Sequence, residues 1–368
     1  MSLTAEALDT INRVIDKVDG HSSPYCQHKF NILRWLVAYD YNEEEVVKQL
    51  KRHLIIREEV DLEGLASRKV PVENDIEKFV PITFLGRNRE TDNKIVLYEY
   101  TGEIDINGLV SNVKMSAFIK IKLRMMETLL EKVIEEEKRT GEQSGGVLVM
   151  NLNNLSFSTK LISVLTGPYR IMWGTLFDHY PQLLRQIIVI NAPSYVNMLH
   201  SAFSPFLPND YKEKITIRCE GSECLQEYID FGGEPENHPE SPFPSSTVEM
   251  SALDTVDVPA GRFTIQKFEW VKDEVIEFFL QNSSNFHYFV FYSEVDTRDV
   301  SLWREVTVGC ERPALNQTDH WHYKIPKTGF YYIRYANEGS WLFGITINVK
   351  HVDSATGEAL TPIETFNL

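Results

Sequence analysis

Cysteines, long apolar runs and basic residues are all scarce in this chain of 368 residues. Its four cysteines, Cys26, Cys219, Cys224 and Cys310, form no CxxC pair. Their spacing therefore predicts neither a zinc site nor a disulfide framework, and favours reduced thiols in a cytoplasmic protein. No stretch reaches the roughly 18 consecutive apolar residues of a membrane-spanning helix. The first residues are polar and amphipathic, so we expect no signal peptide.

Negative charge dominates, because 53 acidic residues face 37 basic ones and the net charge is -16. Such a chain has no general field that attracts nucleic acid, so we expect no nucleic-acid partner. Any membrane contact must then use a local basic or apolar patch. Lys114, Lys120, Lys122 and Arg124 could form such a patch, although their acidic neighbours favour a solvated helix face.

The short motifs of catalysis are also missing, since the chain has no GxSxG, HExxH, GxxxxGK[ST] or GxGxxG. We therefore expect a protein that is not an enzyme and that needs no cofactor. His320 and His322 alternate on a predicted strand and so share a face. No third metal ligand lies near them in the sequence, so we expect an exposed strand end and no metal site.

The first two thirds of the chain read as a helical region followed by an α/β domain. Residues 1–75 are predicted to be helical, with a turn at Tyr39–Asn42. From 76 to 235, buried apolar runs alternate with helical patterns, which predicts βαβ units and a mostly parallel sheet. The predicted strands are Ile95–Tyr100, Val147–Leu152, Ile187–Ile190 and Ile215–Ile217, and the predicted helices are Lys114–Arg139, Leu161–Tyr180 and Ser194–Phe206.

The last third has a different pattern. Residues 236–246 are rich in proline and serine and are predicted to be a linker. Residues 247–352 hold short aromatic and β-branched runs, which predict an all-β sandwich, and 353–368 would be a C-terminal tail. The predicted strands include Arg262–Trp270, Val275–Asn282, His287–Tyr292, Tyr331–Tyr335 and Leu342–Val349.

One predicted helix, which follows Asn191-Ala192-Pro193, carries an apolar stripe along one face. On residue pattern alone, an ordinary core helix packed on the sheet is the simpler interpretation. The stripe consists of Tyr195, Met198, Leu199, Ala202, Phe203 and Phe206.

A family resemblance gives this helix a second interpretation. Phe177–Ile217 holds Tyr-Pro, a buried strand, Asn-Ala-Pro, a helix, Pro-Phe-Leu and Lys-Ile, and resembles the signature of the CRAL-TRIO lipid-binding family. Phe30–Glu59 is similar to the family's N-terminal helices, and Leu225–Gly233 to its closing helix and Gly-Gly. Residues 245–350 resemble a GOLD domain through Pro259-Ala260-Gly261, the aromatic strands and Gly339–Leu342.

The resemblance implies that one lipid or terpenoid is held in a pocket, with the striped helix as its gate. The protein would then be an intracellular carrier that exchanges its ligand through transient membrane contact. It would be cytoplasmic, with peripheral attachment to the Golgi or another endomembrane. The alternative is a lipid-responsive adaptor or signalling regulator whose β-sandwich binds a protein partner.

The resemblance also bears on the ligand. Phosphatidylinositol-binding members hold the headgroup with an Arg, a Glu, a Thr and a Lys, and the matching positions here are Tyr39, Gln182, Tyr211 and Lys214. Only the lysine is retained, and a phosphate needs cationic donors. The likeness therefore argues against standard phosphatidylinositol binding. It leaves open another phospholipid or a neutral hydrophobe of the tocopherol, squalene or retinoid type.

Overall fold

A computed structural model describes residues 3–67, 76–87, 93–203, 212–218, 235, 237–243, 253–314 and 317–368, with the backbone only of Ala202, Phe203 and Val308. Among these residues, none of the helices combines the length and the apolar character that a bilayer crossing requires.

The N-terminal region is helical, as predicted. Its helices are α1 (Ala5–Lys17), α2 (Pro24–Gln27), α3 (Lys29–Ala38) and α4 (Glu43–Glu59). The side chain of Asn42 caps α4 by accepting a hydrogen bond from the backbone N–H of Glu45, and three glutamates follow in the first turn, where they suit the helix dipole. The predicted turn is present, because Asp40 and Tyr41 have left-handed backbone angles.

The predicted α/β domain is confirmed. Its strands are β1 (Ile82–Arg87), β2 (Ile95–Glu99), β3 (Gly146–Asn151), β4 (Leu184–Ile190) and β5 (Ile215–Ile217), in the order β1-β2-β3-β4-β5. β2 to β5 are parallel and β1 is antiparallel. Every residue of β2 and β3 is buried, which explains their continuous apolar runs. The half-exposed edge strand β1 lacks such a run and was not predicted.

The helices of this domain are α5 (Ile106–Asn112), α6 (Met115–Thr140), α7 (Thr159–Val164), α8 (Arg170–His179) and α9 (Val196–Phe203). α6 ends at Gly141 with a left-handed cap, as its sequence predicts. The predicted helix Leu161–Tyr180 is helical as far as His179, where α7 and α8 are joined by one π-helical turn, Leu165–Tyr169. Pro168 lies inside this turn and has no N–H to donate to a regular helix.

The C-terminal region is a sandwich of antiparallel strands. The strands are β6 (Asp254–Val258), β7 (Phe263–Trp270), β8 (Val275–Asn282), β9 (Phe286–Ser293), β10 (Arg304–Arg312), β11 (Asp319–Lys324), β12 (Gly329–Ala336), β13 (Ile345–Asp353), β14 (Ala359–Leu360) and β15 (Glu364–Asn367). The two sheets have the orders β10-β9-β12-β7-β15 and β11-β8-β13-β14, with β6 paired to β13. Aromatic side chains from both sheets meet in one core, where the rings of Trp270 and Phe278 lie 5.9 Å apart.

Three sequence predictions are wrong here. The predicted tail 353–368 contains β14 and β15, which pair with β13 and β7 inside the sandwich. Part of the predicted linker 236–246 packs on the first domain, because Phe243 is buried and stacks on Phe79 at 4.6 Å. The predicted strand Leu342–Val349 begins only at Ile345, and Leu342 lies in the connection before it.

Candidate functional site: an apolar cavity

A cavity of about 220 Å³ lies between one face of the central sheet and the helices that cover it. The sheet contributes Met150 and Val189, which are register partners on β3 and β4. Because side chains alternate across a strand, the neighbours Val149 and Ile188 belong to the core on the opposite face. Trp173 of α8 and Leu199 of α9 line the helical side. The wall is almost wholly apolar.

Polar atoms occupy a small part of this wall. Glu99 forms an ion pair with Lys122 at 3.0 Å, and both side chains are 1% exposed. The hydroxyls of Thr101 and Tyr169 and the Nε2 atom of His200 also belong to wall residues. Among the described residues, the Thr101 and His200 atoms have no hydrogen-bond partner, and the Tyr169 hydroxyl has only a contact with the Trp173 side chain that falls outside normal hydrogen-bond geometry.

An unsatisfied buried polar atom costs about 1–3 kcal/mol. Burial, and next the negative charge of Glu99, raise the pKa of Tyr169, so its hydroxyl keeps its proton at neutral pH. The wall therefore offers hydrogen-bonding groups to a ligand that is otherwise apolar.

The predicted gate residues do not all face this cavity. Tyr195 precedes α9, and its hydroxyl donates to the backbone oxygen of Leu155 at 2.5 Å. Leu199 lines the cavity together with Val196, whereas Met198 is 60% exposed. The stripe that starts at Tyr195 predicts an inward Met198, but packing against the cavity turns the face of α9 that carries Val196 and Leu199 inward. The side chains of Ala202 and Phe203, and all of Phe206, lie outside the described part of the chain.

The predicted headgroup positions are brought together only in part. Gln182 Oε1 accepts hydrogen bonds from Lys214 Nζ at 3.1 Å and from Arg185 Nη1 at 3.2 Å. Tyr39 stacks on Trp35 at the end of α3, and Tyr211 lies outside the described residues.

Sequence reasoning missed Arg185, which lines one groove with Lys94 and Lys214. Its position three residues after Gln182, in the segment that resembles the family signature, was the available signal. The groove supplies cationic donors of the kind that a phosphate needs.

The basic residues of α6 do not form a membrane patch. Lys122 is buried against Glu99, and Arg124 is largely buried and contacts Glu77 at 2.5 Å. The expectation of a solvated helix face is therefore wrong for these two residues. The sequence spacing could not show that their carboxylate partners lie elsewhere in the chain.

His320 and His322 of β11 face Glu277 on the neighbouring strand β8. The distance from His320 Nε2 to Glu277 Oε2 is 3.1 Å, and that from His322 Nε2 to Glu277 Oε1 is 3.6 Å. A third ligand-type residue is thus close in space, although none is close in sequence. Lys114 Nζ lies 3.4 Å from His320 Nδ1 and can only donate, which places the proton of a neutral His320 on Nε2. Hydrogen bonds therefore engage both nitrogens of His320.

Comparisons with known proteins agree with this architecture. A family model for the CRAL/TRIO domain matches residues 81–233, and one for an F28H7.8-like C-terminal domain matches residues 239–361. The second match means that the predicted GOLD domain is not confirmed.

Curated relatives match along different lengths of the chain. CRAL-TRIO domain-containing protein F28H7.8 of Caenorhabditis elegans is 30% identical over 382 residues, which cover 96% of this chain and 92% of the relative. Protein ctg-1 of the same organism is 24% identical over 56% of this chain and 51% of its own length. Protein real-time of Aedes aegypti is 25% identical over 53% of this chain and 29% of its own length.

Among solved structures, the crystal structure of Sfh5 is similar to this chain. The TM-score is 0.52 and the sequence identity is 16%, over 65% of this chain and 91% of that one. This likeness supports the fold alone.

Proposed function

This chain belongs to the CRAL-TRIO domain-containing proteins, and we propose that it holds a single hydrophobic ligand in the cavity under α9. The ligand is a phospholipid or a terpenoid, and the protein exchanges it with membranes as an intracellular carrier. Proteins of this family generally bind and transfer lipids rather than catalyse reactions. The observation that carries the proposal is the apolar cavity between sheet and helices.

The driving force for loading is the removal of apolar ligand surface from water, about 0.8 kcal/mol for each buried CH₂ group. The unsatisfied atoms of Thr101, Tyr169 and His200 favour a ligand that also carries a hydrogen-bonding group. A pure hydrocarbon would leave these atoms unsatisfied. A hydroxyl, carbonyl or ester group would satisfy at least one of them.

Helix α9 is the part of the wall that we assign as the gate. Its Val196 and Leu199 cover the cavity, while Met198 presents apolar surface to the outside, as does Phe157, whose ring lies 5.3 Å from that of Tyr195. Movement of α9 would open a path from the cavity to that surface. A membrane in contact with Met198 and Phe157 would receive the ligand without its passing through water.

The experiment is to block the cavity in the full-length protein and to measure lipid transfer between liposomes. Val164 lines the cavity and Ser163, its neighbour on α7, is exposed, so Val164→Trp and Ser163→Trp place the same new side chain inside and outside. We expect Val164→Trp to lower the transfer rate at least ten-fold and Ser163→Trp to leave it near the wild-type value. Equal transfer by both variants would exclude the cavity as the ligand site.

One observation favours the adaptor as a second candidate function. Phe118, Val164 and Tyr169 line the cavity and also a smaller crevice, which reaches Ala314 and Gln317 in the sandwich. Ligand occupancy could therefore change the packing of the sandwich. Hydrogen exchange of the full chain, loaded and delipidated, tests this: unchanged protection across Arg304–Lys324 would argue against an adaptor that senses its ligand.

A further inference from the structure

The connection between β12 and β13 presents three consecutive large apolar side chains to solvent. Trp341 is 93% exposed, Leu342 81% and Phe343 74%. In the described part of the chain, no other large apolar side chain is more exposed than Met198, at 60%. Scattered single apolar residues are ordinary on a protein surface, but an unbroken run of three at a loop tip calls for a partner. We call this segment, Trp341–Phe343, the apolar tip.

The apolar tip is held in its exposed position by the loop around it. The backbone oxygen of Phe343 accepts hydrogen bonds from Ser340 Oγ at 2.7 Å and from Asn337 Nδ2 at 3.0 Å. Asn337 is buried, and its backbone oxygen accepts from the N–H of Ser340. Because these bonds fix the backbone before any partner arrives, binding through the tip need not order the loop.

The size of the tip decides what kind of partner fits it. Three such side chains can bury roughly 500 Å² of this chain's surface, whereas each partner of a standard protein–protein interface buries about 800 Å² and contributes about 20–30 residues. The tip is therefore too small to hold a protein partner or a second copy by itself. A lipid membrane needs no complementary pocket, since it accepts a protruding apolar side chain wherever it meets one.

Residue chemistry and overall charge point to the same partner. Tryptophan favours the headgroup region of a membrane, and leucine and phenylalanine favour the acyl chains beneath it. The chain carries a net charge of -16, so a general electrostatic attraction to an anionic surface is not available. We infer that the apolar tip inserts into the surface of a lipid membrane and docks the protein there through its β-sandwich.

This docking site is separate from the cavity and does not depend on the ligand. The Val164→Trp variant, which fills the cavity, should still bind membranes through the tip. Failure of the carrier proposal and failure of the docking proposal can therefore be told apart in the same set of proteins.

The test is co-sedimentation of the full-length protein with neutral phosphatidylcholine vesicles. The triple variant Trp341→Ser, Leu342→Ser, Phe343→Ser removes the tip. A matched control, Val295→Ser, Val300→Ser, Leu302→Ser, removes three other exposed apolar side chains of the sandwich. We expect the tip variant to lose at least ten-fold in vesicle binding, while the control variant and Val164→Trp bind like the wild type.

Tryptophan fluorescence supplies an independent readout. Of the six tryptophans, Trp35, Trp173 and Trp270 are buried and only Trp341 is almost fully exposed. Brominated lipids should therefore quench the wild type more strongly than Trp341→Ser, because any uptake of brominated lipid into the cavity quenches Trp173 equally in both proteins.

Equal sedimentation of the tip and control variants would overturn the proposal. Vesicle binding that requires anionic lipid and is lost in high salt would also overturn it. Dimerisation of the wild type without vesicles, abolished in the tip variant, would overturn it as well.

Discussion

At the residue scale, two basic side chains of α6, Lys122 and Arg124, serve the interior of the protein. Lys122 and Glu99 pair with only 1% of either side chain exposed, beside the apolar cavity. Such a pair is costly to bury, but removing one member is worse because it leaves an uncompensated charge in the interior.

Replacement of Glu99 by glutamine should therefore destabilise the fold strongly. We expect the free energy of unfolding to fall by about 3–5 kcal/mol in Glu99→Gln, because Lys122 then has no charged partner. The double variant Glu99→Gln, Lys122→Met should recover most of this loss. Urea unfolding of the three proteins measures both values, and a double variant no more stable than Glu99→Gln would contradict the explanation.

Two adjacent buried histidines make the stability of the first domain depend on pH. The rings of His53 and His179 lie 5.6 Å apart, and burial lowers the pKa of His179 to about 4 and that of His53 well below its usual range. Both are therefore neutral in the fold, whereas the unfolded chain protonates them near pH 6.5. As the pH falls from about 6.5 towards 4, the unfolded state binds more protons and stability is lost.

The difference between the pKa of His179 in the unfolded chain and in the fold corresponds to a loss of about 3 kcal/mol in the free energy of unfolding at the acid end of this range. We expect His179→Phe to flatten the fall in unfolding free energy between pH 7 and pH 4.5. The matched control is the same substitution at the exposed His21, and we expect a shallower slope in His179→Phe than in that control. Equal pH slopes for the two variants would show that His179 titrates normally in the fold.

Residue-level details of the site were only partly predictable. The apolar character of α9 is visible in the sequence, but its inward face is set by packing on the rest of the domain. The sequence therefore did not indicate Val196 and wrongly predicted that Met198 faces the cavity. The buried pair of Lys122 and Glu99 joins positions on a helix and a strand that only the tertiary fold brings together.

At the scale of elements, the start of α6 depends on the other domain. Lys114 occupies the N-cap position, and its side chain cannot accept a hydrogen bond. The acceptor is Asp319 of β11, whose Oδ1 receives bonds from the backbone N–H of Ser116 at 3.2 Å and from its hydroxyl at 2.5 Å. Asp319 also pairs with Arg312 at 3.0 Å and is fully buried.

Loss of this carboxylate should weaken the helix and the domain contact together. We expect Asp319→Ala to lower the free energy of unfolding by about 3–5 kcal/mol, because Arg312 remains buried without its partner and α6 loses its cap. Adding Lys114→Asn to this variant supplies a local cap and should restore about 1 kcal/mol. Thermal and urea unfolding measure both effects, and the absence of any rescue would argue against capping by Asp319.

Elements with strong local signals were predicted well. The buried runs of β2, β3 and β4 and the helix that ends at Gly141 are confirmed. The edge strands β1 and β15 were not predicted, because neither has a buried apolar run: β1 is half-buried and then exposed, and β15 alternates between half-buried and exposed positions. The sequence pattern predicts strand for Leu342 and Phe343 of the apolar tip, because consecutive hydrophobic side chains suit either a strand or an exposed tip.

At the scale of the whole molecule, the two domains are in direct contact. Arg170 of α8 donates to Glu311 of β10 at 2.7 Å, and Arg52 of α4 lies 3.9 Å from Glu305 on the same strand. The cavity wall is thus in direct contact with the sandwich through α8. The nematode relative F28H7.8 matches along 96% of this chain, so the similarity extends across both domains.

The central claim is that one hydrophobic molecule occupies the cavity, and its most direct test is to count that molecule. The protein is incubated with a mixed lipid and terpenoid extract, repurified and denatured, and the released species are quantified by mass spectrometry. We expect close to one ligand per chain in the wild type and in Ser163→Trp, and far less in Val164→Trp. No species above a mock control, or equal loading of all three proteins, would contradict the claim.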